Sequence, residues 1–260
     1  MHYQTLTLTI DNRIARLTLN RPEVHNAFNE VMLAEILEVC TNIAQNKDVR
    51  ILIFAGNGKS FSAGADLNWM RKMINYTYEE NFADSMVLAK AMNALYSIPQ
   101  PTIARVQGAA IGGGMGFVTG CDIAIASDKA IFSLSEVKIG LIPACIGPYV
   151  IRKVGPGKAR EFFITGERMT PERALNAGFI NQVVPHDELD QAVDDLTARL
   201  LSSGPEAIAY AKELIDRVPG MTWDEAKRYT ADMIARIRIG DEAQEGCAAF
   251  LEKRKPGWIN

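Results

Sequence analysis

The chain predicts an α/β fold, and three features of its sequence carry that expectation. Strand-like and helix-like apolar periods alternate through residues 1–200, glycine-rich turns follow two of the strand runs, and residues 201–260 hold helical periods only. Residues 5–10 alternate, Asp11-Asn12 supplies a turn, and residues 14–19 largely alternate again, so the chain opens on strands. Asn20-Arg21-Pro22 breaks the pattern. From Asn26 the period becomes helical, with Phe28, Met32, Leu33, Ile36, Leu37, Cys40 and Ile43 on one face. Residues 49–54 form a buried-strand run ending in Gly56-Asn57-Gly58. Residues 69–97 read as mainly helical, with Phe82, Met86, Leu88, Ala89, Met92 and Leu95 as the apolar stripe. After Pro99-Gln100-Pro101 comes the strand run 102–107, then a glycine cluster leading into a helix, then apolar runs at 123–126 and 131–134. This periodicity fits a doubly wound sheet and a spiral of ββα units alike.

Residues 205–218, 223–239 and 241–254 are three amphipathic helical periods with no strand between them. They read as a helical oligomerisation region, residues 201–260, appended to a core of residues 1–200, since three apolar helix faces suit an interface between copies. A helical layer closing the same domain fits equally.

Composition narrows the function. Hydrophobic residues make up 48% and charged residues 23%, enough for a substantial core. A formal net charge of -3 gives no general attraction to nucleic acid or an anionic membrane, so an anionic ligand must be held by local features. Cys40, Cys121, Cys145 and Cys247 form no CxxC pair and there are three histidines, so neither a disulfide framework nor a metal site is expected. With no basic-then-apolar leader and no apolar run of ~18 residues, a cytoplasmic setting is expected, although a removed transit peptide would leave no trace.

Two loops stand out. Residues 60–67, Ser-Phe-Ser-Ala-Gly-Ala-Asp-Leu, follow a strand run closely; residues 108–116, Gly-Ala-Ala-Ile-Gly-Gly-Gly-Met-Gly, follow another and enter a helix. Consecutive glycines mean unusual backbone dihedrals or close approach of another atom, and a helix N-terminus adds unpaired N–H donors. The dinucleotide pattern GxGxxG fails because Phe117 stands at its sixth position, the phosphate loop fails because Ile53 stands where its leading glycine belongs, and no GxSxG elbow is present. The glycines alone leave an anion site and a structural tight turn both open.

The pair FSAGADL and GAAIGGGMG resembles the two oxyanion-hole loops of the crotonase (enoyl-CoA hydratase/isomerase) superfamily. LNRPEVHNAFN, GCDIAIAS, SEVKIGLIP, FITGERMTPERALNAGFINQVV and FLEKRKP extend the resemblance in order along nearly the whole chain. It implies a crotonase-like spiral of ββα units followed by a C-terminal helical trimerisation region, assembling as a homotrimer or hexamer. It also implies an acyl-CoA thioester substrate, with no cofactor beyond the CoA of that substrate. By motif position the backbone N–H groups of Ala65 and Gly113 are the implied oxyanion donors. Val24, Asn26, Ala63, Gly64, Ala65, Asp66 and Leu67, with Gly113 and Gly116, are the implied substrate-binding positions. Lys253, Arg254 and Lys255 are candidates for the CoA phosphates or an ordinary solvated helix end. Asp66 also reads as the cap of a helix starting at Leu67.

Hydration of a 2-enoyl thioester needs a base for water and an acid for the α-carbon, and hydratases of this family resemble a two-glutamate design. Glu136 stands at the second position, as catalytic acid/base; the first is Gly116. One carboxylate is enough for moving a 3-enoyl double bond to the 2-position, which argues for isomerisation. The wider stretches FSAGADLNWMRKM and FSLSEVKIGLIPACIGPYVIRKVG are most similar to bacterial 3-methylglutaconyl-CoA and carboxygeranoyl-CoA hydratases of leucine and acyclic-terpene degradation, which argues for hydration. Lys138, Arg71, Lys72 and Arg152 are candidates for a second substrate carboxylate, and Cys145 and Tyr149 for the acyl pocket, against surface charge and core packing. The expectation is an enoyl-CoA hydratase for a branched or carboxylated acyl group, with an isomerase or a non-catalytic CoA-binding paralogue as alternatives.

Overall fold

A computed structural model describes residues 3–259. The antiparallel pair β1 (Leu6–Asp11) and β2 (Ile14–Leu19) forms one edge of a six-stranded sheet that continues through β3 (Ile51–Gly56), β5 (Thr102–Val106), β7 (Ile123–Ser127) and β10 (Gln182–Val184), all parallel from β2 onwards. A second sheet holds β4 (Ser60–Ser62), β6 (Ala109–Ile111), β8 (Phe132–Ser133) and β9 (Arg168–Met169). Three strands of the first sheet are thus each followed by a short strand of the second and then by helix: β3 and β4 by α2 (Leu67–Met73) and α3 (Tyr78–Tyr96), β5 and β6 by α4 (Gly113–Gly120), β7 and β8 by α5 (Gly147–Thr165). That repeat decides for the ββα spiral over the doubly wound sheet.

The strands read as continuous apolar runs because both faces of the sheet are covered. Leu52 and Phe54 of β3 point into the main core with α1 (Glu30–Gln45), whereas Ile51 and Ile53 point the other way. There they join Ile103, Ile125 and Val184 under Leu189 and Val193 of α7 (Leu189–Leu201), which follows the short helix α6 (Pro171–Ala177). With α7 covering that face, α8 (Pro205–Arg217), α9 (Trp223–Arg238) and α10 (Asp241–Leu251) are left to stand beyond the sheet. Lys212 of α8 ties them back by donating to Ile98 O, Gln100 O and Asp122 Oδ2 at 2.7–2.9 Å, and buried Arg50 donates to Ser203 O at 2.6 Å. Trp223, Ile239, Phe250 and Leu251 of this region are each about four-fifths exposed or more.

Residues 69–97, expected as mainly one helical stretch, are two helices. Thr77 accepts from Glu80 N while the Glu80 carboxylate accepts from Thr77 N, a capping box that restarts the chain as α3. The first helix starts at Glu30 rather than near Asn26, because Asn29 caps it.

Candidate active site

Residues 21–28 form the bed for the first loop. Asn26 sits in the left-handed region (φ +54°), and its side-chain amide donates to Asn57 O and Ser60 O at 2.8 and 2.9 Å while its oxygen accepts from Arg21 N. Ser62 Oγ donates to Asn26 O, and Ala63 N to His25 O. Phe28 N donates to Gly64 O and Asp66 N to Phe28 O, at 2.8 and 2.9 Å, so Phe28 and Ala65 form an isolated parallel bridge. In that geometry the N–H of Ala65 points away from Phe28, and it has no protein acceptor among the described residues. Asp66 then caps α2, accepting from Asn68 N and Trp69 N, and pairs with Arg21 Nη2 at 2.8 Å. Burial pushes the Asp66 carboxyl up, but Arg21 and the two amides outweigh it and hold the group below the usual carboxylate range. Asp66→Ala is expected to cost roughly 1–3 kcal/mol of stability from the lost cap and the stranded arginine. Because the folded value is lowered, that contribution is present above the ordinary carboxylate range and fades as pH falls through the lowered value. Melts of parent and variant should therefore converge in acid.

The second loop runs from β6 through Gly112 (φ +52°, ψ -124°) into α4. Gly112 N donates to Ser133 O at 2.8 Å. Gly113 is the first residue of α4, so its N–H has no acceptor within the helix and lies at the positive end of the helix dipole. The loops touch at Gly64, whose φ of +92° suits glycine: a Cβ there would lie 2.9 Å from Ile111 O and 3.6 Å from Gly113 N. Two unpaired backbone donors therefore sit on adjoining loops.

Glu136 arrives from β8. Pairing of Ile111 with Ser133 fixes the register, and the 3-10 turn Ser135–Ile139 carries the glutamate against Gly112, where a Cβ would meet its Oε1 at 3.2 Å. Its Oε2 is buried without a hydrogen-bond partner, and desolvation raises the carboxyl above its usual range. The first glutamate position of the two-carboxylate design, held here by Gly116, is filled. A Cβ on Gly116 would lie 2.3 Å from Ile146 Cγ2 and 3.4 Å from Met92 Cε. Position 116 thus lacks the carboxylate and the room for one.

Other expected residues scatter. Asn26 and Gly116 are fully enclosed by protein, Asn26 through its hydrogen bonds and Gly116 under Ile146. Val24, Ala63 and Leu67 are exposed along the approach to the loops. Arg254 is clamped by Glu245 and Glu252, whereas Lys253 and Lys255 are exposed. Lys72 pairs with Glu30 and Arg152 with Asp216; Arg71 and Lys138 have no ion pair among the described residues. Cys145 Sγ faces Ser85 O at 3.6 Å, and the Tyr149 ring packs tilted against Tyr96 with centroids 5.1 Å apart. Two clefts, of about 540 Å³ between α1 and α3 and about 600 Å³ between residues 96–99 and α8, contain none of Ala65, Gly113 and Glu136. The site is defined by its unpaired donors and its buried carboxylate rather than by the size of a cleft. Among the described residues no group of three or more histidine, cysteine or acidic side chains is arranged to hold a metal, and no helix is long and apolar enough to cross a membrane. Sequence reasoning missed the enclosing groups Phe28, Trp69, Asp84 and Ile146, which the pattern marked only as helix-face or apolar residues, or not at all.

The model of the family described as enoyl-CoA hydratase/isomerase matches residues 9–260. The chain belongs to the enoyl-CoA hydratase/isomerase family. It has the crotonase fold: a crystal structure of an enoyl-CoA hydratase from Shewanella pealeana superposes with a TM-score of 0.95 at 44% identity, covering 98% of this chain and 96% of that one. A crotonyl-CoA hydratase from Syntrophomonas wolfei is 33% identical over the full length of both chains. A trans-2-decenoyl-[acyl-carrier-protein] isomerase from Streptococcus mutans is 30% identical over 98% of each. Relatives named for hydration and for isomerisation thus both match nearly the whole chain, and family membership leaves the choice of reaction to the site.

Proposed function

We propose that the chain hydrates a 2-enoyl-CoA thioester, with the N–H groups of Ala65 and Gly113 receiving the thioester oxygen and Glu136 moving the proton at the α-carbon. The observation that supports this reading is the meeting of two unpaired backbone donors with a buried carboxylate that has an unpartnered oxygen. Water adds at the β-carbon, the double-bond pair moves toward the carbonyl, and negative charge develops on the thioester oxygen between the two donors. Each such donor contributes about 3–4 kcal/mol in favourable cases. A proton from Glu136 to the α-carbon then closes the enolate, and a carboxyl raised by desolvation suits such transfer near neutrality. The exposed Val24, Ala63 and Leu67 border the path for CoA. Arg71 and Lys138, free of ion pairs among the described residues, are the cations available to a carboxylated acyl group of the 3-methylglutaconyl type. The exposed apolar faces of α9 and α10 are the surface through which copies assemble as a trimer or hexamer.

A second reading, isomerisation of a 3-enoyl to a 2-enoyl thioester, is favoured by the Ile146 contact. One carboxylate takes the proton from the α-carbon and returns it at C4, with no need of a group at position 116. Incubation with 3-methylglutaconyl-CoA, crotonyl-CoA and a 3-enoyl-CoA separates the readings. A product heavier by one water is expected; unchanged mass with new conjugated absorbance would replace hydration by isomerisation. Binding without turnover on all three would leave a CoA-binding paralogue.

A further inference from the structure

With Ile146 filling the space beside Gly116, a lone Glu136 has to take the proton that water loses and also return one to the α-carbon. The chain brings one more carboxylate to this end of α4. We propose that Asp84 of α3 is the base for the attacking water, so that Glu136 serves only the α-carbon; this rests on the hydratase reading above.

Two separate sets of contacts tie Asp84 and its neighbour Ser85 to residues that pack on the site. On one side Trp69 Nε1 donates to Asp84 Oδ1 at 3.0 Å, the Trp69 ring meets Phe28 edge-on with centroids 5.8 Å apart, and Phe28 lies so close to Gly113 that a Cβ there would come within 2.4 Å of its Cζ. On the other side the carbonyl of Ser85 accepts from Cys145 Sγ–H, and Cys145 precedes the Ile146 that covers Gly116. Helix direction agrees. Met92 lies at Gly116 and Gly120, and Leu95 at Gly120, so α3 and α4 advance in the same sense. Asp84, eight residues before Met92, falls about 12 Å back along α3, toward the end of α4 that carries Gly112 and Gly113.

The state of the group suits the task. Trp69 holds one oxygen, while Oδ2 has no partner among the described residues and is not buried, so it is open to a water molecule. Asp84 makes no ion pair among the described residues; the nearby Lys72, which lowers its carboxyl somewhat, is itself paired with Glu30 at 2.7 Å. Burial raises the carboxyl, with the Trp69 bond offsetting part, which makes it a stronger base than an exposed aspartate.

In the step, Asp84 removes a proton from water as the water oxygen bonds to the β-carbon. The C2–C3 π pair moves to form the enolate, protonated Glu136 gives its proton to C2, and the thioester carbonyl reforms. One water is added, and a proton passing from Asp84 to Glu136 through solvent resets the site.

Asp84→Asn keeps the shape and the acceptor for Trp69 while abolishing the base. Its kcat for crotonyl-CoA hydration is expected to fall about 100-fold. Exchange of the α-hydrogens of butyryl-CoA with deuterium oxide, which uses only Glu136 and the two backbone donors, is expected to stay within about twofold. Trp69→Phe, which removes the donor and keeps an aromatic ring, is expected to lower hydration several-fold with exchange again unchanged. Full hydration by Asp84→Asn, or loss of hydration and exchange by the same factor in both variants, would overturn the proposal. A parent enzyme that isomerises and does not hydrate would overturn the hydratase reading and this proposal with it.

Discussion

Glu136→Gln is expected to lose turnover by about 10²–10⁴-fold without losing stability. The combination is diagnostic because a structural carboxylate predicts the reverse. Oε2 of Glu136 is buried with no partner and desolvation raises the group, so ionising it is unfavourable in the folded chain. A folded value above the unfolded one means that the cost is absent below the ordinary carboxylate range, grows as pH rises through it, and levels off above the raised folded value. Glutamine does not ionise. Its melting temperature should therefore match the parent near pH 4 and exceed it near pH 8. Thermal melts at the two pH values, beside the product assay, check both halves. Retained turnover, or a variant that melts lower at pH 8, would remove Glu136 from the chemistry.

What sequence made legible follows from how local each cause is. The strands β3 and β5 announced themselves because residues on both their faces are buried, leaving uninterrupted apolar runs. Asp66 was legible as a cap since capping is settled within three residues, whereas the equally local capping box at Thr77 and Glu80 was passed over inside the helical stretch 69–97. The short strands β4, β6, β8 and β9 span two or three residues, too few for a period of two to declare itself. The same limit governed the site. Departure from the two-glutamate pattern at Gly116 was visible in one residue, but the Ile146 side chain occupying that space comes from thirty residues further on. Asn26 was named from its place in the motif alone; its complete burial and its bonds to Asn57 O and Ser60 O are tertiary facts. Asp84 carried no motif, and only the Trp69 bond and the packing of α3 along α4 give it a place.

Ala65→Pro tests the donor pair with the largest effect reachable by a single backbone change. The scaffold bonds at this point run through Gly64 O and Asp66 N, so removing the N–H of Ala65 breaks no protein hydrogen bond. The residue before a proline is restricted, but here it is Gly64, whose missing Cβ relieves that clash. The folded chain should therefore persist, with far-ultraviolet dichroism unchanged. Turnover is a different matter, because charge builds on the thioester oxygen in the transition state and the ground-state carbonyl asks far less of the donor. The loss should fall on kcat/KM, by at least about 10²–10³-fold, since the ring methylene that replaces the N–H also crowds the thioester oxygen. Ala65→Ser and Ala65→Gly keep the N–H and should stay within a few-fold of the parent, separating a backbone role from a side-chain one. A folded proline variant with parental kcat would mean that the thioester oxygen lies elsewhere. A rise in KM at constant kcat would make Ala65 a binding contact alone, and Gly113 would then hold the developing charge without it.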